Sequence, residues 1–145
     1  MQLIKAPSDE SPKFKTVFLA GGISNCPDWQ SEVSAALKEC PVSVFNPRRD
    51  IFPDDMNAIE EQIKWEFERL RSSDILSFWF PEETLNPVTL FEFGAAMERS
   101  LPLVVGINPL YKRRIDVEIQ MKLRRPEIYP VYSLHELAEA IERHL

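Results

Sequence analysis

The feature that most constrains the fold of this chain is a regular alternation between short apolar segments and longer amphipathic ones. The short segments are rich in β-branched and aromatic residues and almost continuously apolar, which is typical of strands buried on both faces. Strands that alternate with helices predict a parallel β-sheet with helices on both faces, and hence an α/β protein of three layers. The predicted strands cover residues 16–20, 42–45, 75–80, 103–106 and 128–132, and the predicted helices cover 28–39, 57–71, 89–100, 116–124 and 133–144.

These segments predict a single domain over residues 14–145, preceded by a flexible N-terminal lead-in over residues 1–13. The formal net charge is −6, from 17 Lys and Arg against 23 Asp and Glu, so nucleic acid polymers and membranes are not expected partners. The two cysteines provide no disulfide framework, no zinc-ligand spacing occurs, and no apolar run suits a signal peptide or a membrane span. We therefore expect a cytoplasmic protein without a metal.

Ligands of open parallel α/β sheets bind at the carboxyl ends of the strands, near the point where the strand order reverses. In the first loop at that end, Gly21 and Gly22 let backbone N–H groups approach a ligand closely, although a tight turn explains the same glycines. In the second, Arg48 and Arg49 are suited to hold a phosphate through paired N–H donors, with a solvated arginine pair as the alternative. The four predicted loops cover residues 21–27, 46–55, 81–89 and 107–114.

Glu92 is the carboxylate that best fits a catalytic role. It lies near the start of the predicted helix over 89–100, at the mouth of the strand-end crevice, where the helix dipole favours an anion. An ionised carboxylate is what a covalent glycosidic mechanism requires. The alternative is that Thr89 and Glu92 form a capping box, which satisfies helix N–H groups and needs no chemistry.

A second carboxylate lies on the apolar side of the helix predicted over 57–71. Gln62 and Glu66 fall on its apolar stripe, one helical turn apart. A glutamate in such a position costs free energy unless it is paired or faces a cavity. We interpret Glu66 as a polar group that lines a pocket and contacts a base or a sugar hydroxyl. The alternatives are the solvated edge of the stripe or a subunit contact.

Six segments, taken in order along the chain, resemble those of a known family. They are VFLAGG at 17–22 with Asp28-Trp29, FNPRRD at 45–50, Gln62-x-x-Trp65-Glu66, SDILSFWF at 73–80, PVTLFEFG at 87–94, and Val105-Gly106-x-x-Pro109-x-Tyr111-x-Arg113-Arg114-x-Asp116-Val117. Their order and spacing are similar to the nucleoside 2-deoxyribosyltransferase-like family. The resemblance implies a flavodoxin-like (Rossmann-like) five-stranded parallel sheet, Glu92 as the nucleophile and Glu66 as an acidic residue that helps to bind the nucleoside. It also implies oligomers in which neighbours complete one another's sites.

Two departures from the family pattern bear on the substrate. Phe18 stands where family transferases often carry Tyr, which removes a hydroxyl near the nucleophile. Asn86 stands six residues before Glu92, where the family tends to have an Asp that contacts the 5′ end of the sugar. Because a neutral amide repels a 5′-phosphate less, Asn86 together with Arg48 and Arg49 favours a nucleoside 5′-monophosphate over a free nucleoside.

The sequence thus predicts an enzyme that cleaves or exchanges the N-glycosidic bond of a (deoxy)nucleoside or nucleoside 5′-monophosphate. Glu92 attacks the anomeric carbon, the base departs, and water or a second base resolves the glycosyl–enzyme ester without a cofactor. We expect a homo-oligomer. The alternative is a non-catalytic sensor of a nucleotide or nucleotide derivative on the same fold. The predicted substrate-binding residues are Gly21, Gly22, Ser24, Arg48, Glu66, Asn86 and Thr89.

Overall fold

A computed structural model describes residues 1–51 and 54–145; residues 52 and 53, within the predicted loop over 46–55, lie outside the described residues. Strands and helices alternate through most of the chain, as predicted. The strands are β1 (Gln2–Lys5), β2 (Lys15–Gly21), β3 (Val42–Asn46), β4 (Ile75–Phe80) and β5 (Leu103–Ile107). The helices are α1 (Trp29–Ala36), α2 (Met56–Ser72), α3 (Pro87–Met97), α4 (Arg114–Arg124) and α5 (Leu134–Glu142).

The five strands form one parallel sheet in the order β1-β3-β2-β4-β5, which confirms the predicted α/β class. The last four strands follow the order of the flavodoxin-like fold, in which the chain leaves a central strand to one side and then crosses to the other. Here β2 is that central strand, and the strand order reverses between β2 and β4. The carboxyl ends of these two strands therefore form the crevice in which proteins of this fold bind ligands.

The fifth strand is not the one predicted from the sequence. Residues 128–132 contribute a single bridge, from Val131 to β5, because Pro130 has no N–H group to donate to a ladder. Instead β1 pairs with β3 along its full length, and Ile4 is 1% exposed in the core. The prediction of a flexible lead-in over residues 1–13 is therefore wrong for Gln2–Lys5, which form β1.

Alternate residues of the strands enter two separate cores, one on each face of the sheet. Along β2, Val17 and Leu19 pack beneath α1 and α5, whereas Phe18 and Ala20 pack beneath α2, α3 and α4. Burial of a large apolar side chain contributes about 1.5–3 kcal/mol, so both cores fix the sheet and the loops that leave its carboxyl end. Among the described residues, no helix combines the length and apolarity needed to cross a membrane.

Candidate active site

The loop that follows β2 packs against the loop that precedes α3. A Cβ atom on Gly22 would overlap Oδ1 of Asn86, and a Cβ atom on Gly21 would lie 2.6 Å from both the Trp79 carbonyl oxygen and the Trp29 ring. A side chain at either position would displace a neighbour, so the two glycines are required for close packing across the crevice. This gives the tight-turn interpretation a specific cause, while a role for Gly21 and Gly22 in binding a substrate stays a prediction.

A buried amide, that of Gln30, joins the first strand-end loop to the second. Its Nε2 donates to the Gly22 carbonyl at 3.2 Å, and its Oε1 accepts from Arg48 Nε at 3.1 Å. Arg48 also donates from Nη2 to the Pro27 carbonyl at 3.0 Å and forms an ion pair with Asp28 at 3.1 Å. Arg48 thus bridges two loops, and its contact with a 5′-phosphate stays a prediction. Gln30 was not predicted as a site residue, although its position on the apolar side of a helix was a usable signal.

Helix α3 begins two residues before the predicted start, and this removes the capping-box explanation for Glu92. Asn86 is the N-cap residue, and Pro87 occupies the first helical position, where its missing N–H has no cost. Thr89 is consequently the third helical residue and 5% exposed, and Glu92 lies in the second turn. The alternative explanation, in which Thr89 and Glu92 form a capping box, is therefore wrong.

Asn86 is held in a costly arrangement at the crevice. Its backbone is left-handed, with φ 51° and ψ 60°, a conformation that Asn tolerates better than most residues. The side chain is 6% exposed, and its Nδ2 has no hydrogen-bond partner among residues 1–51 and 54–145. Leaving a buried amide donor unpaired costs about 1–3 kcal/mol. A cost of this kind at a strand-end crevice is typical of a group whose partner is a ligand.

The carboxyl group of Glu92 lies in a groove between α2 and α3. The groove has a volume of about 600 Å³ and is lined mainly by apolar side chains, together with Arg71 and Arg99. Burial, and secondly the charge of Glu66, raise the pKa of Glu92 to about 8. This corrects the expectation that the helix dipole favours the anion: the dipole acts within the first turn, whereas Glu92 lies in the second and is desolvated.

Glu66 is held by a chain of hydrogen bonds that begins at the end of β3. Gln62 Nε2 donates to Glu66 Oε1 at 2.6 Å and to the Pro47 carbonyl at 2.8 Å, and Arg49 Nε donates to Gln62 Oε1 at 2.5 Å. Burial raises the pKa of Glu66, whereas the Gln62 hydrogen bond and the Arg49 charge oppose that shift. Among the described residues, Glu66 alone of the two carboxyls has groups that stabilise its anion, so near neutral pH the pair holds its proton mainly on Glu92.

The predicted site residues therefore fall into two groups. In the first group, the charge of Glu66 raises the pKa of Glu92, which lines the groove between α2 and α3. Thr89 is buried in the first turn of α3, Ser24 is exposed in the first loop, and their roles in binding stay predictions. The second group, at the crevice, consists of Gly21, Gly22, Arg48 and Asn86.

No group of three or more His, Cys, Asp or Glu in the described part of the chain is arranged to hold a metal ion.

Tyr111 fixes the loop that carries Asn86. Its hydroxyl donates to the Leu85 carbonyl at 2.7 Å, and its ring packs against Phe80 with a centroid distance of 5.2 Å. The side chain is 3% exposed. A positioning role for Tyr111 was not predicted from the sequence; the available signal was an aromatic residue within an otherwise polar strand-end loop.

The sheet order and the helices define a flavodoxin-like α/β protein, in which Gly22 and Asn86 meet at the carboxyl ends of β2 and β4. Among solved structures, the chain is similar to the crystal structure of a conserved protein from Enterococcus faecalis V583, with a TM-score of 0.62. The two chains are 16% identical, and the similarity covers 91% of this chain and 99% of that one. At this identity the similarity shows the fold alone.

The family follows from the sequence. Residues 14–111 match the family described as nucleoside 2-deoxyribosyltransferase like, and this match spans more than half of the chain. The protein therefore belongs to the nucleoside 2-deoxyribosyltransferase-like family, as the motifs predicted. A comparison with curated proteins gives no match. Membership indicates a function related to nucleosides.

Proposed function

We propose that this protein cleaves or exchanges the N-glycosidic bond of a (deoxy)nucleoside or nucleoside 5′-monophosphate, with Glu92 as the nucleophile. The observation that carries the proposal is the environment of Glu92. Glu92 lines a groove between α2 and α3, its burial and the charge of Glu66 raise its pKa to about 8, and no hydrogen bond from a described residue offsets the cost of its burial. A buried carboxyl without a structural partner destabilises a fold, so a function explains its presence better than packing does. Membership of the family supports the same reaction class.

The carboxyl pair supplies both the nucleophile and the proton that the reaction requires. Near neutral pH the pair of Glu66 and Glu92 holds one proton. The reaction uses the minor form of the pair, in which the proton has moved from Glu92 to Glu66. Glu66 then passes this proton to the departing base while the Glu92 carboxylate attacks the anomeric carbon, through an oxocarbenium-like transition state. The C–N bond breaks, and a glycosyl ester of Glu92 forms. Water then transfers its hydroxyl to the anomeric carbon and its proton to the pair, whereas attack by a second base exchanges the sugar.

The 5′ end of the sugar is assigned to the crevice at the ends of β2 and β4. Asn86 offers there a neutral N–H donor that no described residue uses, and the Arg48 guanidinium, which is paired with Asp28, lies at the neighbouring loop. Gly21 and Gly22 leave the backbone open to close approach, and Ser24 adds a hydroxyl. This arrangement accommodates a 5′-phosphate as well as a 5′-hydroxyl, because it places no carboxylate at Asn86.

A homo-oligomer is part of the proposal. Phe67 and Phe91 line the groove that holds Glu92, yet they are 60% and 81% exposed. A second copy of the chain that covered them would bury apolar surface and exclude water from the carboxyl pair, which strengthens its electrostatic effects. Light scattering during size-exclusion chromatography is expected to give a multiple of the 16.8 kDa chain mass. A monomer over the full concentration range would remove this part of the proposal.

The first experiment is chromatographic. The protein is incubated with ribo- and deoxyribonucleosides and their 5′-monophosphates, with and without a free acceptor base. We expect free base from the native protein and from Glu68→Gln, whose exposed carboxyl lies on α2 away from the groove. We expect none from Glu92→Gln, which keeps the size of the side chain and loses the nucleophile.

The pattern of products distinguishes the candidate reactions. Base release in buffer alone defines a hydrolase, and base exchange that requires an acceptor defines a transferase. After rapid denaturation, mass spectrometry is expected to find the sugar esterified to the peptide that contains Glu92. Substrate binding without base release, equal in native protein and Glu92→Gln, would instead establish a non-catalytic sensor.

A further inference from the structure

We propose that Gln62 and Arg49 are positioning residues, which fix the orientation of Glu66 so that one of its oxygens is held and the other faces the reacting nucleoside. This inference rests on the reaction proposed above. It assigns roles to two residues that contact neither of the reacting atoms. The geometry that carries it is the chain of hydrogen bonds from Arg49 through Gln62 to Glu66.

The amide of Gln62 has only one orientation that satisfies its neighbours. Arg49 can only donate and the Pro47 carbonyl can only accept, so Oε1 must face Arg49 and Nε2 must face Pro47. Both hydrogens of Nε2 are then used, one by Pro47 and the other by Oε1 of Glu66 at 2.6 Å. Gln62 therefore offers the substrate no free donor, and its contribution is to Glu66.

Arg49 is itself fixed at both ends of its guanidinium group. Nε donates to Gln62 at 2.5 Å, and Nη2 pairs with Glu61 at 2.7 Å, while the side chain is only 11% exposed. Because the guanidinium group is planar and its donors are fixed relative to one another, an arginine loses little side-chain freedom for each hydrogen bond that it forms. These contacts link the loop after β3 to α2, and Gln62 extends the link to one oxygen of Glu66. In the described residues, the other oxygen accepts no hydrogen bond.

The charged groups around Glu66 come from three elements. Arg49 in the loop after β3 favours its anion, Glu92 on α3 has its own pKa raised by the charge of Glu66, and Glu61 on α2 is paired with Arg49. Two further cations, Arg71 and Arg99, line the groove of Glu92. Arg99 donates to the backbone carbonyls of residues 70 and 71, and Arg71 lies over the ring of Phe67 at 5.5 Å, so both have other partners.

The decisive test follows the carboxyl groups directly and does not require activity. Protein labelled with ¹³C at glutamate Cδ is titrated by NMR, and the signals of Glu66 and Glu92 are assigned with Glu66→Gln and Glu92→Gln. In Gln62→Met the donor to Glu66 is lost while the side-chain length is kept. We expect Glu66 to titrate at higher pH, because its anion has lost a partner, and Glu92 at lower pH, because its neighbour carries less charge. A structural role alone would move neither signal in this opposed way.

Kinetics then connect this link to the reaction. For the substrate identified in the chromatographic screen, Gln62→Met is expected to lower kcat about 10- to 100-fold with a smaller change in KM, because misplacing a catalytic group by about 1 Å costs this much. Arg49→Lys keeps the charge and one donor and should lose less than Arg49→Met, and Glu68→Gln should be unchanged. Native titrations and native kcat in Gln62→Met would overturn the inference while leaving the proposed function intact. Opposed titration shifts in a protein inactive on all substrates would sink the proposed function, and with it the role of this link in the reaction, while showing that Gln62 does stabilise the Glu66 anion.

Discussion

The side chain of Asn86 packs directly against Gly22, in the space that a Cβ atom on Gly22 would occupy. The two residues belong to loops that follow β2 and β4, so their contact spans the point where the strand order reverses. Asn86 is also the N-cap of α3, the helix that carries Glu92. We therefore expect a side chain at Gly22 to displace Asn86 and so to disturb the start of the helix that carries Glu92.

The first prediction concerns this contact. Gly22→Ala is expected to lower the free energy of unfolding by about 1–3 kcal/mol, because the new methyl group overlaps Oδ1 of Asn86. Gly94→Ala is the matched control, since a Cβ atom there meets nothing within 4 Å and the residue lies inside α3. Alanine is the better helix former, so the control should gain about 0.5–1 kcal/mol. Urea denaturation of both variants measures the difference. A Gly22→Ala protein that was at least as stable as the native protein would refute this account of Gly22.

The second prediction is a dependence of stability on pH that comes from Glu92. In the unfolded chain this carboxyl ionises near its ordinary pKa, whereas in the folded protein burial raises its pKa to about 8. The unfolded state thus binds fewer protons between these values, and stability falls as pH rises from about 4.5 to 8. For a partly exposed side chain we expect this loss to be about 2 kcal/mol. Glu92→Gln should unfold like the native protein at pH 4.5 and be the more stable of the two at pH 8.5, as measured by urea denaturation at each pH. An offset that is the same at both pH values would contradict the shifted pKa.

Part of the fold and of the candidate site could be predicted from the sequence, and there are physical reasons why the rest could not. Four strands were identifiable because strands buried on both faces are continuously apolar, whereas β1 is a short edge strand whose burial depends on distant β3. Glu66 stood out because a carboxylate on an apolar helix face is anomalous, and Glu92 because it lies near the start of a helix that follows the carboxyl end of a strand. The start of α3 was misplaced at Thr89 because a hydroxyl is a good N-cap; Asn86 followed by a proline was the stronger signal.

The link between Glu66 and its supporting residues could not be predicted in the same way. Gln62 and Glu66 share a helix face, so their contact follows from helical spacing. Arg49 lies in the loop after β3 and reaches Gln62 because α2 packs beside the end of that strand. The position of a helix against a strand cannot be read from the residues of either segment alone. The same holds for Gln30, whose amide connects two loops that are distant in the chain.

The third prediction is the pH dependence of the proposed reaction. The pair of Glu66 and Glu92 needs one proton to protonate the departing base, and that proton is lost as pH rises through about 8. For the native protein, kcat/KM is therefore expected to decline above pH 8. Glu66→Gln should lower kcat at least about tenfold, the usual minimum for loss of a general acid. Its residual activity should lack this decline, because no acid remains to be titrated. A variant that retained the native alkaline limb would exclude Glu66 as the proton donor.

The last prediction concerns discrimination at the 5′ end of the sugar. Asn86→Asp replaces a neutral amide by an isosteric carboxyl group that repels a 5′-phosphate, and at about 5 Å and an effective dielectric constant of 20 this repulsion is worth about 3 kcal/mol. We therefore expect the ratio of kcat/KM for a nucleoside 5′-monophosphate to that for the free nucleoside to fall at least about tenfold. The ratio is the useful measurement because a loss of folded or active protein, caused by a change at this buried position, lowers kcat/KM for both substrates equally and cancels. Asn86→Ser, which is neutral and smaller, serves as the control and should leave the ratio near its native value. An unchanged ratio in Asn86→Asp would place the 5′ end elsewhere, whereas equal falls in both variants would show that the size of Asn86, and not its charge, governs the choice.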